Sequence, residues 1–359
     1  MAAPRAVSHR AALLSIAIAG ATLAGCVGAS PVAVQPTGDA ELLADVESTF
    51  AEDWERAAVA VIHGDEVNTA FVRAEESTAF EIGSITKVLT GELLAIAVER
   101  GEVTLDDTLG EHLDLGDAPV ASVPLVQFAT HHSGLPHWPE DPEWVAEFDA
   151  AYAAHEDPVD DDLAELLELA RGADAAPDSE YEYSNFGAAL LGQALAAAAG
   201  IEYPELLQQR VLDPLGMDHA VLVEQPDQVP ETHAGGFDTR GESFEPWSPG
   251  AFSPSSAVHA TLGDLIALAR EVLDGDLARS PALEPVAASG VPRAQIGYFW
   301  FIEEIRPRII TNHPGETNGF GTALLINRES GTASIVLTNT ASQPRPFKLA
   351  LRLLIDAER

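Results

Sequence analysis

Apolar positions recur at helical spacing from Asp39 to Asp53, and the runs "AAVAVIHGDEV" and "TAFVRA" that follow Arg56 read as two strands turning at Gly64-Asp65. Helical periodicity then dominates: Ser84 to Arg100, Val123 to Thr130, Asp161 to Arg171, Ser184 to Ala199, Tyr203 to Val211 and Thr261 to Leu273. Strand patterns return in "IGYFWFIEE", "PRIITN", "GTALLIN" and "TASIVLTN", the last two separated by the short turn Arg328 to Gly331, and a final helix runs from about Gln343 to Asp356. Strands near both ends with helices between them predict an α/β (α+β) fold. In it one antiparallel sheet, from about 39–83 and 291–359, is flanked by terminal helices and carries an all-helical insertion over about 84–290.

The first residues break this pattern. Arg5 and Arg10 precede "AALLSIAIAGATLAGC", an apolar run too short and too rich in small residues for a membrane span, so residues 1–25 read as a signal peptide. Leu23-Ala24-Gly25-Cys26 resembles a bacterial lipobox. Cleavage before Cys26 and lipidation of that residue would anchor the chain to the outside of the cell membrane, with residues 26–38 as a tether. Cys26 is the only cysteine in the sequence, so no internal disulfide is expected.

Charge changes the picture by exclusion. A formal net charge of −38 offers no basic stripe for a phosphate backbone, so no nucleic-acid partner is expected; the acidity reads as a solvated surface. The sequence leaves the oligomeric state open.

The chain has only two lysines, Lys87 and Lys348. Lys87 stands three residues after Ser84, on one face of the first turn of a helix that Gly83 opens to close backbone approach. A serine hydroxyl is a weak nucleophile until a base takes its proton; a buried lysine can be that base, and an arginine cannot. The helix start also supplies the Ser84 amide as an oxyanion donor. A second constellation, Tyr183 and Asn185 around Ser184, begins another helix, and a third, His313-Pro314-Gly315, lies on a strand edge feeding a glycine-rich turn.

In this order, Ser-x-x-Lys, Tyr-x-Asn and His-x-Gly resemble the serine hydrolases of the class C β-lactamase and penicillin-recognising D-alanyl-D-alanine carboxypeptidase type. "LDDTL", "FATHHSGLP", "RVLDPLGMDHA" and "INRESGTASIVLTN" are similar to phrases of that family, and the resemblance spans roughly Leu43 to Leu354. It implies a mixed sheet joined to a helical subdomain, with the active site at their junction. By position it also implies Ser84 as the acylated nucleophile, Lys87 as its proton acceptor and Tyr183 as proton relay and activator of the deacylating water. Asn185 would hold a substrate amide or carbonyl, and His313 would stand where a lysine is often found. The Glu316 backbone N–H, just after Gly315, would be the second oxyanion donor.

No Gly-x-Ser-x-Gly elbow, Gly-x-x-x-x-Gly-Lys loop or His-Glu-x-x-His helix is present, and no cofactor or metal is expected. His131, His132 and His137 lack acidic or cysteine partners at ligand spacing, and Asp157 to Asp162 reads as structural. Relatives commonly carry a small hydroxyl residue where this chain has Glu316. With His313 in place of lysine, that corner loses its affinity for a substrate carboxylate. An esterase or amidase is therefore the leading reading. A D-Ala-D-Ala carboxypeptidase or other peptidoglycan peptidase stands second and a β-lactamase third. A non-catalytic lipoprotein that binds a cell-wall ligand is the competing class.

Overall fold

The computed structural model describes residues 35–359; the expected signal peptide, Cys26 and most of the expected tether lie outside them. The end of that tether is not free. Thr37–Gly38 forms a two-residue edge strand on Glu66–Val72, with Thr37 opposite Phe71, and Asp39 caps the first helix by accepting from the Glu41 and Leu42 amides.

The two ends of the chain build one nine-stranded antiparallel sheet. Its order is Thr37–Gly38, Glu66–Val72, Ala57–His63, Thr332–Thr338, Gly321–Asn327, Arg308–Glu316, Phe301–Ile305, Ala294–Ile296 and Ala287–Ala288. The period of two shows in the packing. Val59, Val336 and Leu325 lie in the core beneath the terminal helices Ala40–Thr49 and Arg345–Ala357, whereas Ala60, Ile335 and Leu324 face the helical region. Both faces are thus covered, and the site lies where the helical face meets the sheet.

The inserted region is mostly but not wholly helical. Phe80–Glu81, Val258–Ala260 and Val221–Leu222 form a small antiparallel sheet, and Gly236–Phe237 pairs with Ser243–Phe244. The run "IGYFWFIEE" is not one strand. Ala294–Ile296 turns back on Phe301–Ile305, and the intervening Phe299 N–H reaches across to the Ala129 carbonyl at 2.8 Å. A helix at Pro142–Ala154, which the periodicity reading passed over, starts at Asp141, whose carboxylate accepts from the Glu143 and Trp144 amides. The acidic stretch supports structure: Asp157 holds Ser248, Asp161 accepts from the Trp144 indole, and Asp162 caps the helix Leu163–Gly172.

Candidate active site

Ser84 lies in a 3₁₀ turn, Gly83–Ile85, that leads into the buried helix Thr86–Glu99, so the helix begins two residues later than periodicity predicts. Gly83 adopts φ +54°, and a Cβ there would sit 2.7 Å from both the N and the O of Glu316. A glycine is required on both counts: left-handed backbone and contact with another main chain. Gly315 is as tight, since a Cβ on it would meet the Ile82 carbonyl at 2.0 Å. The strand Arg308–Glu316 is thereby pressed against the turn that carries Ser84.

The neighbouring strand ends at Phe301, opposite Asn312, which leaves residues 313–316 with one open backbone edge lining the cleft. Pro314 has no N–H to donate, so its nitrogen belongs on the unpaired side. Two residues on, the Glu316 N–H points the same way. It is thereby aimed into the cleft beside Ser84, as an oxyanion donor requires.

Lys87 is fully buried. Its Nζ lies 3.2 Å from Ser84 Oγ, 2.6 Å from Asn185 Oδ1 and 2.8 Å from the Ser255 carbonyl. Burial holds its ammonium well below the usual lysine range. A neutral amine has two protons and one lone pair. The protons serve the two shorter contacts, both to acceptors, and the lone pair is left for the Ser84 hydroxyl. The site is thus arranged for transfer from Oγ to Nζ.

Tyr183 packs its ring 5.0 Å from Nζ. Burial raises its phenol above the usual range, against the pull of its hydrogen bond with Ser84, so it is a neutral phenol rather than a standing phenolate. Asn185 opens the helix Asn185–Ala199 and is engaged at both ends: Oδ1 accepts from Lys87, and Nδ2 donates to His137 Nε2 at 2.8 Å. Partial desolvation and the nearby Lys87 bring His137 down to about 4, consistent with an accepting Nε2.

His313 is buried, and its Nδ1 donates to the Pro314 carbonyl at 2.6 Å. Nε2 is then an acceptor, and it has no partner among the described residues. Burial, followed by Lys87, brings its pKa down to about 3, so it is a neutral ring with no charge for an anion. Glu316 stands exposed at the cleft rim, its carboxyl raised by partial desolvation.

The cleft measures about 610 Å³. Trp138, Phe148, Tyr152, Trp247, Phe301 and Phe347 line it with Ser84, Tyr183, Asn185 and the His313–Asn318 edge. Among the described residues on its wall there is no lysine or arginine, and Glu316 is the only acid.

Residues 46–358 match the Beta-lactamase family, a family of serine hydrolases. The chain belongs to that family. Its relatives include the Escherichia coli protein named D-alanyl-D-alanine-carboxypeptidase/endopeptidase AmpH, 31% identical over 57% of this chain and 51% of that protein. The chain thus spans about half the length of that relative. Penicillin-binding protein 4 of Amycolatopsis lactamdurans is 25% identical over 75% of this chain and 74% of that one. The fold is that of solved class C β-lactamases: one superposes with a TM-score of 0.74 at 18% identity over 88% of this chain and 96% of its own, and that from Rhodobacter sphaeroides with 0.71 at 20% identity over 88% and 98%.

The structure brings together at one cleft all seven expected site residues from Ser84 to Glu316, with Lys87 behind Ser84. Sequence reasoning missed the Ser255 carbonyl, which no side-chain pattern reveals, and Glu81, next to the Ile82-Gly83 turn. His131 and His137 were weighed only as metal ligands. His131 instead accepts from the Ser184 amide at 3.1 Å and packs 4.4 Å from the Tyr183 ring, fixing the turn that presents Tyr183.

Proposed function

We propose that this protein hydrolyses esters or amides with uncharged, largely apolar acyl groups through a Ser84 acyl-enzyme. The observation that carries the reading is the cleft wall: aromatic side chains, a neutral His313 and an exposed Glu316, with no cation to receive a carboxylate.

Ser84 Oγ attacks the substrate carbonyl as its proton passes to Lys87 Nζ, and the oxyanion is received by the Ser84 and Glu316 amides. Collapse breaks the bond to the leaving group, which takes a proton relayed by Lys87 and Tyr183. Water then attacks the Ser84 ester, gives its proton to the same pair, and frees the acid and the serine hydroxyl. The aromatic wall supplies apolar contact along which the acyl group lies before attack.

A peptidoglycan carboxypeptidase or endopeptidase is the second reading, favoured by the identity to AmpH; it requires the cleft to accept a peptide that ends in a carboxylate. Substrates compared on the full-length protein decide between them: neutral aryl and alkyl esters, D-alanyl-D-alanine peptides and β-lactams, with Ser84→Ala as control and a fluorophosphonate probe counting reactive serines. Ester turnover lost in Ser84→Ala supports the first reading, whereas peptide turnover without ester turnover overturns it.

We also propose that the mature chain is a lipoprotein held outside the membrane by Cys26, since the apolar run ends in Leu-Ala-Gly directly before it. Detergent phase separation of full-length protein from a lipidating host should place wild type in the detergent phase and Cys26→Ala in the aqueous phase. Two aqueous proteins would refute the anchor.

A further inference from the structure

Glu81 is buried three residues before Ser84, and its carboxylate joins segments that are distant in sequence. Oε1 accepts from His233 Nε2 at 3.0 Å and from the Trp247 amide at 3.0 Å; Oε2 accepts from the Thr317 hydroxyl at 2.5 Å. No lysine or arginine forms an ion pair with it among the described residues. Burial works to raise its pKa, but the hydrogen bond from His233, the His259 and His233 imidazoles and the hydrogen bond from Thr317 together outweigh that and hold the carboxyl below its ordinary value. The group is therefore an ionised carboxylate held by hydrogen-bond donors and by the imidazoles beside it.

Those donors matter by position. Thr317 directly follows Glu316, and its own N–H closes the next turn onto the Phe320 carbonyl at 3.1 Å. The Glu316 peptide is thus fixed from both sides, by the Gly83 backbone against it and by Thr317 bound to Glu81 behind it. Trp247, the second anchor, forms part of the cleft wall.

Glu81, His233 and His259 also place one ligand atom each within 4.8 Å of one another, a set whose chemistry would suit zinc. The His233 tautomer argues against it. His233 Nδ1 accepts from the Gly235 amide at 3.2 Å, so its one proton sits on Nε2, pointing at Glu81. A metal on Nε2 would drive that proton to Nδ1 and break the hydrogen bond that Nδ1 accepts from Gly235. His259 donates from Nε2 to the Trp247 carbonyl at 3.1 Å, and burial brings its pKa down to about 4; its Nδ1 is buried with no hydrogen-bond partner among the described residues, so it is His233 that disfavours the metal.

We propose that Glu81 is the positioning residue of the oxyanion site: its buried carboxylate sets the Glu316 peptide through Thr317 and the cleft wall through Trp247. The proposal rests on the reading of Ser84 and the Glu316 amide as the acyl-transfer site. Removing an oxyanion donor outright costs about 10²- to 10³-fold in kcat, so loosening one should cost less.

The test uses the full-length protein carrying Glu81→Gln, Thr317→Val, Thr317→Ser or Ser84→Ala, with neutral-ester kinetics expressed per fluorophosphonate-titrated serine. Glutamine keeps the shape and can turn its amine toward the Thr317 oxygen, so Glu81→Gln should titrate fully yet turn over about 10- to 100-fold slower, with KM within about twofold. Thr317→Val should lose about 10-fold in kcat, and Thr317→Ser, which keeps the hydroxyl, should stay within about twofold of wild type. A purely structural role would instead reduce the titrated fraction and leave kcat per site unchanged. If Glu81→Gln does not fold, the Thr317 pair decides: equal kcat in Val and Ser variants overturns the proposal. So does one equivalent of zinc that copurifies and is lost in His259→Ala. If Ser84→Ala retains wild-type turnover, the underlying acyl-transfer reading falls instead.

Discussion

Lys87 Nζ is held 2.6 Å from Asn185 Oδ1, two residues 98 positions apart in the chain, so the helix after Ser84 and the helix after Tyr183 are joined at the Lys87 amine. Burial holds that amine well below the usual lysine range, and Asn185 with the Ser255 carbonyl fixes it beside Ser84. Arginine would keep a charge but shed no proton. Lys87→Arg is therefore expected to lose activity about as completely as Ser84→Ala, by at least the roughly 10²- to 10⁴-fold typical of a lost general base. Steady-state ester hydrolysis measures this, and near-normal turnover in Lys87→Arg would transfer the role of base to Tyr183.

Gly83→Ala tests the contact between the nucleophile turn and the oxyanion strand. The added methyl would sit 2.7 Å from the Glu316 N and O in a backbone at φ +54°. The strand has to move, and a displacement near 1 Å at a reacting centre costs about 10²-fold. A kcat reduced at least about tenfold, with a lower Tm, is the expected result; unchanged kcat would show that Glu316 does not serve the oxyanion.

Glu92 carries a pH-dependent stability cost. It is buried in the nucleophile helix, accepts from Ser280 Oγ and from the Trp300 indole, and burial pushes its carboxyl up to about 7. A raised acid binds more protons folded than unfolded. Stability therefore falls as pH rises from the unfolded value of about 4.5 through 7, and the full cost, about 3 kcal/mol, applies above that. Glu92→Gln can keep both contacts, its oxygen accepting from Trp300 and its amine donating to Ser280. It should raise Tm by several degrees at pH 8 and hardly at pH 4.5, as thermal denaturation at the two pH values would show. Equal shifts at both would mean that the carboxyl is not protonated at low pH.

Much of this was legible before folding, for identifiable reasons. Alternation in "AAVAVIH" and "TASIVLT" gave strands covered on both faces, because period two survives whichever layer lies above. Ser84, Lys87, Tyr183 and Asn185 stand at helix starts, where spacing in sequence becomes spacing in space. What escaped depends on long-range closure. Ser255 contributes through its main chain, and Glu81 acquires its role only when Thr317, 236 residues later, folds onto it. The bend at Phe299 was equally hidden, since an apolar run looks the same in a strand as in a turn buried against helices.

Substrate polarity is the sharpest remaining test. Glu316 is one residue past Gly315 at the cleft rim, beside an imidazole brought down to about 3 by burial and Lys87, so the corner offers a negative charge and no positive one. A like-charge contact at about 4 Å would cost from about 1 kcal/mol in water to about 4 at an effective dielectric of 20. The exposure of Glu316 favours the lower figure, roughly fivefold in selectivity. Wild type should therefore prefer a methyl ester or amide over the matched free carboxylate by about fivefold in kcat/KM, and Glu316→Ser should narrow that ratio. Because the rim is open to solvent, the preference should shrink as salt rises. The measurement is kcat/KM for the matched pair in both proteins at low and moderate ionic strength. If wild type favours the carboxylate, or if Glu316→Ser leaves the ratio unmoved, the side chain does not face the substrate and the peptidoglycan carboxypeptidase reading takes precedence.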